Sequence, residues 1–411
     1  MHKGNWYTLD NTAKLMPSLT NNLNTNVFRL VCTLKSEVDE DILQSALDEA
    51  LKEFPIFSYT MKSGIFWHYL EQSSKSPKVE KEKTDPCARI DSEHLFRISY
   101  YKKRINLEVY HVLSDGNGSM EFFKYLISTY LNKKYDLKNI EAINDSSLFE
   151  KNSDDFKKFD KSSFKVKIQK SDRAYKLKLS KKNNVTHDII EIHMNLGDLK
   201  SEAKKKNATI TVYVMALFID SIIKNARIRD LKRPIGITVP VDLRSTFPSH
   251  TSRNFFYTIC IQYLKKDNYT IEDIIQEIKR QFGEKLTKEH LQEMLDTYMI
   301  VEKFILIRVV PNFLKDFILS YINKMAKKGE TAAFTNINMV KLPKIYEKYI
   351  ESFSGFASTN ELELAAVSYK DDIALSFSSH IQNKDIERAF IKSLQGITDK
   401  EIKVISNMRE E

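Results

Sequence analysis

One short stretch of the chain, His111-Val112-Leu113-Ser114-Asp115-Gly116, holds residue types that could move a proton. Imidazole titrates near pH 6.5 when unperturbed, so a histidine can take a proton from an attacking hydroxyl or amine at neutral pH. Leu107, Val109 and His111 fall on one face of a strand, and Glu108 and Tyr110 on the other. A single histidine at the end of an apolar face is usually packing. This one is followed at once by Asp115-Gly116-Asn117-Gly118, which has the chemistry of a sharp turn. Glycines there let the backbone approach a ligand closely, and a helix starting at the turn presents free N–H groups to an anion. The other histidines support no such role. His68 sits in Phe66-Trp67-His68-Tyr69 and reads as packing, His193 lies on a strand, and His250 follows Arg244 in a loop. No pair has the H-E-x-x-H spacing, and there is no P-loop or G-x-G-x-x-G, so no metal is expected.

The elements that must hold these residues alternate between strands and helices. Val27 to Leu34 alternates in polarity and reads as a half-buried strand. Asp39 is placed to cap a helix that Pro55 stops. Residues 56–70 read as extended with Gly64 at a turn, and residues 73–83 as a polar loop. Leu95 to Tyr101 and Ile105 to Val112 read as paired strands, and Gly118 to Leu131 as a helix with Met120, Phe123 and Ile127 inward. A stretch rich in Ser, Asp, Asn and Lys follows from Asn144. It divides the chain into a lobe over 1–143, a surface crossover over 144–170 and a second lobe over 171–411. In that second part Thr209 caps a helix, and 188–194, 235–241, 255–263, 333–340, 362–369 and 373–379 read as strands. A weak repeat is visible. The strand ending in His111, then Asp115 and a helix, is echoed by a strand running into His380, then Asp385 and a helix.

Composition narrows the function. The chain has 411 residues, 42% hydrophobic and 11% aromatic, enough for two or three domains or one bilobal unit with real cores. Ten Gly and nine Pro exclude collagen-like and Pro-rich classes. Lysine and arginine number 64 against 55 acidic residues, a surplus of +9 spread along the chain rather than gathered in a tail. It reads as a solvated surface, with an attractive field for an anion as the functional alternative. No basic stripe with stacking aromatics points to nucleic acid. Cys32, Cys87 and Cys260 are far apart, so no disulfide framework is expected and a reduced, cytoplasmic setting fits. No signal-peptide pattern and no apolar run of membrane-spanning length is present. The two greasiest stretches, Val212 to Ile219 and Phe304 to Leu319, read as buried core helices. A membrane-touching amphipathic helix is the alternative for the second.

The pattern His111-x-x-x-Asp115-Gly116 resembles the H-x-x-x-D-G signature of the CoA-dependent acyltransferase superfamily. That group includes chloramphenicol acetyltransferase, peptide-synthetase condensation domains and bacterial alcohol acetyltransferase-like proteins. Further segments look like the last branch, in order along nearly the whole chain. They are Phe54-Pro55-Ile56-Phe57, Gly64-Ile65-Phe66-Trp67, Glu108-Val109-Tyr110-His111, Pro240-Val241-Asp242-Leu243-Arg244, Arg253-Asn254-Phe255-Phe256 and Thr335-Asn336.

The resemblance implies a mixed α/β fold of two chloramphenicol acetyltransferase-like lobes with a tunnel between them. It implies that an acyl group, with acetyl as a candidate in the alcohol acetyltransferase-like branch, moves from acyl-CoA to a hydroxyl or amine acceptor. His111 would be the general base, with no covalent acyl-enzyme, no bound cofactor and acyl-CoA as co-substrate. Asp115 and Gly116 would complete the motif, Asp115 as the structural partner of Arg244, and Asn254 and Asn336 would line the tunnel. Two lobes in one chain suit a monomer. An acyl carrier protein as donor is the first alternative, favoured by the basic surplus. A degenerate binding protein is the second. The sequence departs from the family in places. The plant Asp-Phe-Gly-Trp-Gly motif is absent, and Tyr110 replaces the first histidine of condensation domains. The family's Ser-Asn-Leu-Gly appears as Thr335-Asn336-Ile337-Asn338, so its glycine is lost. That loss bears on local backbone geometry and on any oxyanion role there.

Overall fold

A computed structural model describes residues 6–90, 93–137, 148–161, 172–177, 186–303 and 310–408. Parts of the expected crossover (144–147 and 162–170), its boundary at Ser171 and residues 304–309 of the second apolar run lie outside the described residues.

The site rests on a five-stranded sheet made of β2 (Val27–Leu34), β5 (Val79–Lys81), β6 (Phe96–Tyr101), β7 (Arg104–Tyr110) and β12 (Ile350–Ala357). The strand order is β12-β2-β7-β6-β5. One strand of this sheet therefore comes from the second half of the chain, so the division is one of sheets rather than of chain segments. A small sheet of β1 (Trp6–Thr8), β3 (Tyr59–Ser63) and β4 (His68–Gln72) sits beside it, and Gly64 closes its hairpin, donating to the Trp67 carbonyl. The second sheet has seven strands: β8 (Asp188–Asn195), β9 (Ile235–Asp242), β10 (Phe256–Tyr263), β11 (Ala332–Met339), β13 (Leu362–Tyr369), β14 (Asp372–Ser379) and β15 (Lys403–Ser406). Their order is β10-β9-β11-β13-β14-β8-β15, with β11 parallel to both of its neighbours.

Helices cover one face of each sheet. α1 (Glu40–Glu53) is capped by Asp39, whose carboxylate accepts from Ile42 N, and it packs with α2 (Gly116–Tyr135) on the first sheet. Phe28, Leu30, Cys32 and Leu34 on β2 meet Leu43, Leu47, Phe123 and Ile127 from those helices. On the second sheet lie α3 (Leu196–Lys205), α4 (Ile210–Asn225), α5 (Ile271–Lys285), α6 (Lys288–Lys303) and, near the end of the chain, α8 (Asp385–Gln395), whereas α7 (Asn312–Ala326) lies against the 64–67 hairpin, where Asn312 donates to the Gly64 and Ile65 carbonyls. α4 is capped by Thr209 and buried from Val212 to Ile223, held between the sheet, α5 and α8. Hydrophobicity all round a helix is what such a central position demands.

Two expectations change. β2 and β7 are buried on both faces, not one, because the second sheet packs across their outer side. There Val27, Val31, Ile189 and Phe356 form a shared apolar patch, and Arg104 on β7 reaches Glu191 on β8 at 2.7 Å. Glu108 is fully buried on that side between Arg29 and Arg97. The described part of the second apolar run is also not a core helix. Leu314, Phe317 and Ile318 on α7 are exposed, since their helix has no sheet beneath that face. Among the described residues no single helix is long and apolar enough to cross a membrane.

Candidate active site

β7 ends at Tyr110, and the chain turns at His111, held there by its own N–H donating to the Asn26 carbonyl at 2.8 Å. The turn closes on Asp115, which caps α2 by accepting from Gly118 N at 2.8 Å. A cap of this kind satisfies one of the free N–H groups at the helix start. Gly118 is required there by close approach. A Cβ at that position would lie 2.3 Å from the Ser252 carbonyl and 2.7 Å from Ser114 Oγ. Gly116 differs, since a Cβ there meets nothing within 4 Å.

The second half of the chain contributes residues 251–256, the loop ahead of β10. Arg244 brings that loop and the first-half turn together. Its guanidinium donates to Asp115 Oδ2 at 2.8 Å and Oδ1 at 3.1 Å, and to the Thr251 and Arg253 carbonyls at 3.0 and 2.7 Å. Asp242 accepts from it at 2.8 Å. Phe255 N then donates to Asp115 Oδ2 at 2.8 Å. The Asp115 carboxylate thus receives two backbone N–H groups and a bidentate arginine. With its oxygens so occupied, it is a poor acceptor for a substrate proton. Burial disfavours the Arg244 charge, but Asp115 and Asp242 outweigh that and push its pKa above the usual arginine range. The expected Asp115–Arg244 pair is present, with Asp115 buried and Arg244 partly buried.

His111 sits above this pair with its ring between Phe28 and Phe256, at centroid distances of 5.1 and 5.3 Å. Burial lowers its pKa below the ordinary imidazole value, against the opposing pull of Asp115 and Asn254. Burial thus favours the neutral ring. Its Nδ1 lies 3.0 Å from Asn254 Oδ1. The Asn254 amide orientation follows from its other edge, where Nδ2 faces the His111 carbonyl at 3.0 Å and Asp10 Oδ2 at 3.2 Å, both acceptors. Oδ1 must therefore face the imidazole, and Nδ1 must carry the proton. The lone pair is left on Nε2, which has no hydrogen-bond partner among the described residues.

Asn254 thus joins the site, but as a partner of His111. Asn336 does not. It donates to Thr211 Oγ1 at 2.8 Å and lines a cavity of about 720 Å³ with Lys200, Lys204 and Lys279. Asn338 adopts a left-handed φ of 67°. Asparagine enters that region more readily than most residues, so the left-handed conformation is held here without a glycine. Asp10 was not visible as a site residue. It is fully buried, accepts from Ala13 N at 2.8 Å, and lies 3.6 Å from the Arg253 guanidinium. Burial raises its pKa to about 6, with Arg253 opposing and Asp154 adding to the rise. No local sequence signal marks it, because its partner Asn254 is 244 residues away.

No family model matches the sequence, and no curated protein sequence matches it. The fold does match solved structures. Polyketide synthase associated protein 5 from Mycobacterium tuberculosis superposes with a TM-score of 0.62 at 13% identity, over 96% of this chain and 97% of that one. The starter condensation domain of rhizomide synthetase, in complex with C8-CoA and Leu-SNAC, gives 0.61 at 9% identity, over 95% and 94%. Trichothecene 15-O-acetyltransferase from Fusarium sporotrichioides gives 0.60 at 10% identity, over 95% and 94%. The chain has the mixed α/β architecture shared by CoA-dependent acyltransferases and condensation domains.

Proposed function

We propose that the protein is a member of the CoA-dependent acyltransferase superfamily and moves an acyl group from acyl-CoA to a hydroxyl or amine acceptor. The observation that carries this reading is the state of His111. Its Nδ1 lies 3.0 Å from Asn254 Oδ1, burial favours its neutral form, Nε2 has no hydrogen-bond partner among the described residues, and the neighbouring carboxylate is fully engaged elsewhere. The likeness, over nearly all of both chains, to a condensation domain in complex with C8-CoA and to a trichothecene acetyltransferase supports it.

In this mechanism Nε2 takes the proton from the acceptor as its oxygen or nitrogen attacks the thioester carbonyl. The tetrahedral intermediate collapses, the C–S bond breaks, and the imidazolium returns the proton to the leaving thiolate. The products are an ester or amide and free CoA. Asp115 and Arg244 hold the turn and the 251–256 loop together, which fixes His111 against Asn254. A donor carried on a phosphopantetheine arm presents the same thioester, and the likeness to a polyketide-synthase-associated protein favours this as the second reading. A screen of acyl donors against acceptors, following free thiol, tests both, with His111→Ala as the blank. Full turnover by that variant would remove the base assignment.

A further inference from the structure

We propose that Asp10 is a positioning residue that sets the tautomer of His111 through the side-chain amide of Asn254. The proposal deepens the reading of His111 as general base and rests on it. Three side chains from three distant parts of the chain form one line of contacts. Asp10 Oδ2 accepts from Asn254 Nδ2 at 3.2 Å, and Asn254 Oδ1 lies 3.0 Å from His111 Nδ1.

An amide has a donor edge and an acceptor edge, and rotating it by half a turn exchanges them. In the observed orientation the donor edge meets the Asp10 carboxylate and the His111 carbonyl. Its acceptor edge then demands a proton on Nδ1, which leaves Nε2 free to act as base. In the flipped orientation an N–H would face Nδ1 and call for a lone pair there. The proton would move to Nε2, and the base would be lost. An ionised carboxylate can only accept, so it penalises the flip in a way a neutral group cannot.

Asp10 is held for this task from both sides. Its Oδ1 is taken by Ala13 N at 2.8 Å, which fixes the carboxylate plane. Arg253 lies 3.6 Å from Oδ2, and donates to the Thr8 carbonyl at 2.6 Å, so the segment bearing Asp10 is clamped against the loop bearing Asn254. Both Asp10 and Asn254 are buried to 1% exposure or less, so water does not compete for the amide.

Asp10→Asn tests this, because it keeps the shape and replaces the acceptor facing Asn254 with a donor. The tautomer of His111 is read from its ring nitrogen chemical shifts in histidine-labelled protein at pH 8. The wild-type chain is expected in the Nδ1–H form, and Asp10→Asn with a larger share of Nε2–H, the His111 carbonyl still favouring the original amide orientation. With an active acyl donor and acceptor, kcat should fall in proportion to the loss of the Nδ1–H form, with KM changed by less than about twofold. A wild-type Nε2–H tautomer, or a folded Asp10→Asn that keeps the wild-type tautomer, would overturn the proposal. Asn254→Ala gives the same readout if Asp10→Asn does not fold, since removing the amide leaves the ring with its own backbone carbonyl and should raise the Nε2–H share above that of wild type. An Nε2–H share no higher than in wild type would also overturn it. The nitrogen shifts report whether or not any donor is turned over, so failure of acyl transfer and failure of the positioning contact are told apart.

Discussion

In the first half of the chain β7 runs into His111, and α2 begins at Gly116. In the second half β14 runs into His380, and α8 begins at Asp385. The residue before the helix decides how each corner is used. At the first it is Asp115, a cap whose charge is spent on Gly118 N, Phe255 N and Arg244. At the second it is Lys384, which makes no cap and sends its ammonium to Asp188 and Ser379 Oγ, both at 2.9 Å. His111 keeps Nε2 open. His380 is fully buried, its ring 3.9 Å from that of His187 and its Nε2 at 2.9 Å from the Leu23 carbonyl. One corner presents an imidazole edge, and the other uses its imidazole to join two parts of the fold. A strand–histidine–helix turn is therefore not a site in itself. It becomes one where the ring stays partly exposed instead of being wholly buried.

The largest effect should separate the two histidines. His111→Ala is expected to lower kcat by roughly 10²–10⁴-fold with the melting temperature little changed. His380→Ala should do the reverse, weakening the fold by about 1–3 kcal/mol because the Leu23 carbonyl loses its donor, while the folded fraction stays active. Parallel thermal melts and turnover assays of the two variants check this. Equal losses of turnover per folded molecule would break the comparison.

Next in size is the ion pair beneath the first corner. Arg244→Met leaves Asp115 buried beside two backbone donors but without its counter-charge. Loss of one partner of a buried pair costs about 3–5 kcal/mol. Arg244→Lys should recover little, since one ammonium cannot reach Asp115, Asp242 and two carbonyls in the same geometry. Denaturant midpoints of the three chains decide the point.

Much of this was legible in the sequence, and the parts that were not have physical reasons. The strands at Val27–Leu34 and Leu362–Tyr369 and the caps at Asp39 and Thr209 were readable because period and cap chemistry are local. β12 was missed, since Glu351, Ser352 and Ser354 break its apolar pattern. Ser354 in turn donates to Glu191 across the gap between the sheets, so its polarity belongs to that contact. Arg244 was found through a motif, and its partner followed. Asn254 was placed at the site with a different role, because a lining residue and a histidine partner look alike until the amide's neighbours are known. Asp10 lay beyond any local rule.

The second corner should also show itself through pH. Burial first, and then the neighbouring His380, lower the His187 pKa to about 4. Its unfolded value is about 6.5. The unfolded chain therefore binds the proton more readily, so stability is complete above pH 6.5 and falls as pH drops toward 4. The contribution lost between pH 7.5 and 5 is about 2 kcal/mol. Urea unfolding of wild type and His187→Gln at both pH values isolates it. The gap between the two pH values should shrink by that amount in the variant.

The smallest effect on stability is expected at Gly116, and its smallness is what makes it informative. Gly118→Ala should cost about 1–3 kcal/mol, because the added methyl runs into the Ser252 backbone. Gly116→Ala meets no atom within 4 Å, and neither glycine has a positive φ. At the first position of a helix, alanine should leave stability unchanged or raise it by up to about 1 kcal/mol. Any loss of turnover in that variant then reports on the space above the turn rather than on the fold. If the acyl donor or the acceptor passes over Gly116 on its way to His111, the methyl should raise the KM of that substrate and leave the other's unchanged. Comparing the two KM values therefore tells which substrate approaches His111 over the helix start. Wild-type values for both would place the approach elsewhere on the ring.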